Sequence, residues 1–496
     1  MMRWKITVAL LAVTVAVGAY VSLYEIRRPT SEERGRLSKQ LLTLPAQTVT
    51  RLVVELPQAK VMLSRGGSGW RMDPQGFRAD ESMVEQLLHH ASSLMAERTL
   101  FGTPSKPLDL KSFGLDPAVG RLTFQASGSS TTLLIGEATP VGNNRYASLS
   151  GRPDVGIISS ALFDLANQPA QKYRDPLLLR FNTWLADGVT VSVPTGGFSL
   201  TRAEDAWRAS FTSSGRQAEG AARSVTDQAD RTEVNNLLSR LGALPIKRVI
   251  DDAPQVEQRF TWGFDTTEIE LTLMQRDVPG STTVFVGAPL PDDPSLRYAK
   301  RSDEPSLYAI ASTDIEALVN DPQRLRKHAC VEFFTSEVTK LEVGQGASSW
   351  MIERADAQWR IADSDVILEA SKVEELLNKL SDLRVSGFMD EPSSELGRYG
   401  LSPPAGSIAV WTTGNDQPQR LWIGTAVEGS AERYGRIEAR NVVVRWPSSI
   451  TELLSTTTEQ LRPTAPSQPA GSSAAAPTPL HAAPPPPQES PVPSRR

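Results

Sequence analysis

Three stretches decide how this chain folds: residues 80–94, DESMVEQLLHHASSL; residues 230–244, DRTEVNNLLSRLGAL; and residues 369–383, EASKVEELLNKLSDL. Their apolar side chains recur at offsets 0, 3, 4, 7 and 10. These are Val84, Leu87, Leu88, Ala91 and Leu94; Val234, Leu237, Leu238, Leu241 and Leu244; and Val373, Leu376, Leu377, Leu380 and Leu383. At 3.6 residues per turn, that spacing puts all five on one face of an α-helix. Four residues before each Val stands an acid, Asp80, Asp230 or Glu369. Asp caps the free N–H groups of a first turn, and any carboxylate suits the positive end of the helix dipole. Glu is the poorer cap, so Ser371 is the expected cap of the third helix.

Outward from the helices, further landmarks recur in one order. Trp70 and Trp359 precede their Val by 14 residues; Trp207 precedes its Val by 27, with the extra residues in the polar stretch around Ser213 to Ser224. A surface insertion belongs in such a stretch. After each helix comes a glycine-led turn: Gly114-Leu115-Asp116-Pro117, Gly263-Phe264-Asp265 and Gly400-Leu401-Ser402-Pro403. Glycine supplies the positive φ such turns need. An alternating strand then runs into Ile135-Gly136, Val286-Gly287 or Ile423-Gly424, followed by Arg145-Tyr146, Arg297-Tyr298 or Arg433-Tyr434. Each unit opens with a strand: Thr50 to Leu56, Val189 to Val193 and Val338 to Val343. Alternation such as Val189, Val191, Val193 marks a sheet with one buried face. The chain therefore reads as one unit written three times, over residues 48–176, 177–328 and 329–462. The fold class is α+β: three tandem β-rich units of antiparallel sheet, each with one long amphipathic helix.

The two ends read differently. Ile6 to Leu23 is an 18-residue run without a charge, about 27 Å long as a helix, flanked by Arg3, Lys5, Arg27 and Arg28 and by Trp4, Tyr20 and Tyr24. Residues 1–28 are the expected transmembrane anchor, and 29–47 a juxtamembrane linker. A cleaved signal peptide with its site at Ala16-Val17-Gly18 is the rival, less favoured because the apolar run continues past that site. The basic residues after the run argue for a cytoplasmic bulk. Long domains are exported largely regardless of charge, and the expectation is an extracytoplasmic, periplasmic-side body on a single-pass anchor. Residues 463–496, rich in Pro, Ala and Ser, lack the apolar material to offset ordering entropy and read as a disordered tail.

Composition limits the chemistry. Fifty-two Lys+Arg against 57 Asp+Glu, net −5, argues against a nucleic-acid partner, which would meet a basic face. The single Cys330 leaves no intrachain disulfide framework and no cysteine zinc cluster. His89 and His90 are adjacent on a helix and cannot share a metal as an i, i+4 pair could; both read as surface residues. His328 and Cys330 share a strand face, yet no orienting acid is recognisable nearby, and Cys330 aligns with Leu178, a core position. Gly66 to Gly69 reads as a hairpin turn. Asp251-Asp252 and Asp292-Asp293 read as solvated turns. No cofactor or metal is called for.

The order of Trp, acid-led helix, Tyr-Gly-Leu-Ser-Pro (Tyr399 to Pro403), Ile423-Gly424 and Arg433-Tyr434 resembles the domain of unknown function 4340. The resemblance covers about 48–462, and the second unit departs most, with Trp262-Gly263-Phe264-Asp265-Thr266 lacking both Tyr and Pro. It implies an N-terminal membrane helix ahead of such repeats. It also implies, as for some members, a setting beside an ABC-type transport system linked to gliding motility, as an auxiliary component. It carries over no catalytic residue.

One polar feature recurs in every unit, the Arg of the Arg-Tyr pair. Arg145, Arg297 and Arg433 are the candidate ligand or partner contacts, a cation beside an aromatic platform. In the competing reading the Tyr packs on the sheet and the Arg pairs with an acid, since alternation sends the two to opposite faces. The expected function is a membrane-anchored, non-enzymatic accessory or interaction component of a cell-envelope system, with envelope or transporter proteins as partners. An extracytoplasmic binding module for a polymer or small ligand is the second reading, and a hydrolase with an unrecognised site the third.

Overall fold

A computed structural model describes residues 39–463, apart from residues 68, 104–107, 127, 205, 214–222, 256–259, 266–267, 390–392 and 441. The expected anchor at Ile6–Leu23, most of the insertion and the tail lie outside the described residues. Among the described residues no helix is long and apolar enough to cross a membrane. The chain divides into two compact units, Met1–Lys327 and His328–Arg496. The first holds two repeats and the second holds one.

Each repeat is built on one antiparallel sheet. In the first, the strands are β1 (Val49–Glu55), β2 (Lys60–Gly66), β3 (Gly69–Asp73), β4 (Phe77–Arg78), β5 (Arg98–Leu100), β6 (Gly120–Ala126), β7 (Ser129–Ala138), β8 (Asn144–Leu149) and β9 (Val155–Ser159). Their spatial order is β4-β3-β2-β1-β6-β7-β8-β9-β5. The chain thus folds as hairpins outward from β1 to one edge, crosses to the far edge, and builds hairpins outward again from β6. The second sheet repeats this order with nine strands; the third has eight and lacks the counterpart of β4, where a single bridge, Arg360 with Ile367, stands instead.

The long helix makes the crossing from β4 to β5, which is why its apolar face covers the sheet. Helix α1 (Glu81–Ser92) buries Val84, Leu87, Leu88 and Ala91. These pack with Leu52, Val54, Leu63 and Trp70 in one core. Helices α3 (Arg231–Gly242) and α5 (Ala370–Ser381) bury Val234, Leu237, Leu238, Leu241 and Val373, Leu376, Leu377, Leu380 at the same positions. Shorter helices close the repeats, α2 (Ala161–Ala166), α4 (Ser312–Val319) and α6 (Ser449–Ser455), where no sequence period announces a helix. Asp80 Oδ1 accepts from the N–H groups of Ser82 and Met83, and Asp230 Oδ1 from those of Thr232 and Glu233. At the third helix the expectation for Ser371 fails. Glu369 occupies the cap position without a side-chain cap bond, and the Ser371 hydroxyl donates to Glu369 Oε1.

Lys39–Leu44, assigned by sequence to the linker, contributes Leu41, Leu42 and Leu44 to the first core. The Leu41 N–H donates to Leu94 O, as Leu178 does to Leu244 O and Cys330 to Leu383 O. Leu41, Leu178 and Cys330 therefore occupy one position in three repeats. Each repeat is closed by a matching bond at the helix start: Asp80 N–H to Tyr173 O, Asp230 N–H to Leu325 O and Glu369 N–H to Leu461 O.

Candidate functional site

The repeated motifs meet at one place on each sheet. The turn glycines Gly114, Gly263 and Gly400 have φ of +65°, +74° and +63°, a conformation L side chains avoid. The second glycines, Gly136, Gly287 and Gly424, lie under the carbonyl oxygens of Phe113, Trp262 and Tyr399, where any Cβ would collide with the backbone. Just past them the pairing register shifts, between Ile135 and Ala138, Val286 and Pro289, and Ile423 and Ala426. Such a bulge leaves carbonyls without ladder partners. The arginines fill that need. Arg145 Nη1 donates to Gly136 O at 2.9 Å, Arg297 Nε to Gly287 O at 3.1 Å, and Arg433 Nε and Nη2 to Gly424 O at 3.1 and 2.8 Å.

The neighbouring tyrosines point to the other face. Tyr146 packs edge-on against Phe113 and Tyr434 at a tilt against Tyr399, while Tyr298 joins Trp262, Phe264 and Leu307. Turn, second glycine, Arg and Tyr thus form a single clasp in every repeat. The structure places Arg145, Arg297 and Arg433 on backbone carbonyls; among the described residues, only Arg297 of the three also meets an acid, Glu268.

A second Arg recurs that sequence reading missed. Arg65, Arg202 and Arg354 stand opposite Trp70, Trp207 and Trp359 across a hairpin. Their guanidiniums hold the turn before the first strand, at Gln47 O, Trp184 O and Ser336 O. An Arg five residues before each Trp was the available signal.

A polar cluster centred on Arg301 joins the first two repeats. Arg301 is 1% exposed where the sister repeats hold Leu149 and Ile437. Its Nε bonds Asp303 Oδ1 at 3.0 Å, its Nη1 Leu178 O at 3.1 Å, and its Nη2 lies 3.2 Å from Glu304 Oε2. The Tyr308 hydroxyl donates to Glu304. From the first repeat, Arg78 Nη2 reaches Asp303 at 2.7 Å; Arg174 pairs with Asp252 and bonds Ser306 Oγ and Tyr308 Oη, each at 3.1 Å. Three guanidiniums thus face three carboxylates. Burial works to raise the Asp303 carboxyl, but Arg301 and Arg78 outweigh it and hold the group below its ordinary range. Burial, then Glu304, pushes the Tyr308 phenol up to about 12. Beside this cluster a cleft of about 600 Å³ is lined by Phe264, Phe285, Lys300, Ser302 and Pro305 together with Arg301, Asp303 and Glu304.

The other candidates separate. Asp251 caps its own turn at the Ala253 N–H while Asp252 takes Arg174. Asp292 pairs with Arg248 at 3.0 Å, and Asp293 accepts from Ser295. His89 and His90 are exposed and stack edge-on with each other. The His328 ring packs on Phe388, and burial pushes the Cys330 thiol up to about 12. The strands beside Gly66 and Gly69 pair directly at those two residues, as a hairpin requires. Among the described residues no three His, Cys, Asp or Glu side chains are grouped to hold a metal ion.

Three overlapping stretches, residues 70–255, 222–395 and 362–476, match one family, Domain of unknown function (DUF4340). The chain belongs to that family. The first two DUF4340 matches begin ahead of one repeat's long helix and run beyond the long helix of the next, so the family's window is offset from the structural repeats. Every motif that carries the DUF4340 resemblance lies in the helix–sheet core or in the clasp. None of the curated proteins compared with the chain is similar to it.

Proposed function

We propose that this DUF4340 chain is a single-pass, membrane-anchored, non-enzymatic protein. Its three repeats serve as an accessory component of a cell-envelope system such as an ABC-type transporter, on the periplasmic side. The observation that carries the reading is where the repeated polar residue goes: Arg145, Arg297 and Arg433 each tie a glycine carbonyl inside the clasp. What triplication preserves is then a scaffold, and a scaffold's work is contact. The uncharged run Ile6–Leu23 supplies the anchor. Reporter fusions after Arg28 and after Arg462, combined with alkaline extraction of membranes, test this reading. An extraction-resistant chain with both reporters active only outside the cytoplasm is expected; release from the membrane, or cytoplasmic activity at both positions, would sink it.

A second reading, an extracytoplasmic small-ligand module, is favoured by one observation, the cleft beside Arg301, Asp303 and Glu304 in the second repeat.

A further inference from the structure

The cleft in the second repeat has chemistry of its own. Its wall is the Arg301–Asp303–Glu304 cluster, which is internally neutralised: Arg301 and Arg78 hold Asp303, and Arg301 and Tyr308 hold Glu304. Across the sheet, Phe285 pairs with Lys300 on adjacent strands, so their side chains share one face. Both are half-buried, and Phe264 and Pro305 extend the apolar lining. Lys300 makes no hydrogen bond or ion pair among the described residues. Glu270 pairs with Phe285 on its other side and does not line the cleft.

The lining thus combines an aromatic face, an unpaired ammonium and the Ser302 hydroxyl, next to carboxylates already committed to arginines. An ammonium at the rim of an apolar cleft recognises an anion, and the ring beside it recognises a flat, apolar body. Only the aromatic–cation pairing recurs in the third repeat, where Trp422 pairs with Arg436, whereas the first repeat has Leu134 and Ser148 there. We infer that the second-repeat cleft binds a small organic carboxylate with a planar apolar body, its carboxylate on Lys300 and its ring on Phe285.

Calorimetric titration of the detergent-solubilised full chain with 2-naphthoate, and separately with the neutral 2-naphthalenemethanol, tests the inference. Naphthoate should bind and the neutral analogue should not. Lys300→Gln should weaken naphthoate roughly tenfold to a hundredfold, the factor a charge-assisted hydrogen bond represents. Phe285→Ala should weaken it as well, Lys300→Arg should restore binding, and Arg436→Gln in the third repeat should leave it unchanged. The inference is overturned if naphthoate does not bind, if both compounds bind alike, or if Lys300→Gln and Phe285→Ala bind as the native chain does. Equal thermal unfolding of the variants shows that they are folded. None of these outcomes depends on the anchor or on a protein partner.

Discussion

Gly287 can be tested alone, because its Cβ position is taken by the Trp262 carbonyl. Gly287→Ala should lower stability by roughly 1–3 kcal/mol, the usual cost of forcing atoms into packed space. Gly397→Ala, where nothing lies within 4 Å, should stay within about 0.5 kcal/mol; denaturant unfolding reads both. Arg301 is a different case. Arg301→Leu copies the sister repeats' side chain but strands Glu304 in the interior, and should cost about 3–5 kcal/mol. Adding Glu304→Gln should recover part of that loss. Asp303 adds a pH dependence of definite sign. Its carboxyl is held low, so its stabilisation is complete above the unfolded value, about 3.9, and is lost as pH falls through the lower folded value. Asp303→Asn should therefore destabilise the chain at pH 7, with the gap closing below about pH 4 in parallel denaturation curves. The clasp residues were legible as motifs because they recur, but not their task. That depends on a bulge whose free carbonyl no sequence pattern displays. Arg301 was illegible for the opposite reason: it occurs once, and its meaning comes from the Leu and Ile that replace it elsewhere.

At the scale of elements, the helix period carried the reading furthest, since five apolar side chains on one face leave little choice of structure. The caps make a graded prediction. Asp80→Ala and Asp230→Ala each remove bonds to two N–H groups and should cost about 1 kcal/mol, whereas Glu369→Ala, with no such bond, should cost less. Thermal melts of the three variants check the order. Lys39–Leu44 was missed as part of the first repeat because it has neither alternation nor helical period. Repeat logic could have found it: aligning Leu178 with Cys330 and stepping back once more arrives at Leu41. The short edge strands and the helices α2, α4 and α6 are too brief for a period to register, and tertiary packing fixes them.

For the whole molecule, one strand order is used in three antiparallel sheets, the third short of one edge strand, and the first two repeats are joined by a buried ion cluster. Repeat architectures commonly serve as surfaces for contact. That is the ground for reading the chain as an envelope component that holds partners, with the second-repeat cleft as a local specialisation. Affinity purification of the full chain from its native membranes, with quantitative mass spectrometry of what accompanies it, tests this most directly. Permease and ATPase subunits of one transport system are expected in fixed proportion to the chain, and lost when residues 1–28 are removed. Recovery of the chain from those membranes with no transport subunit in fixed proportion, or with the same companions after that removal, would contradict it.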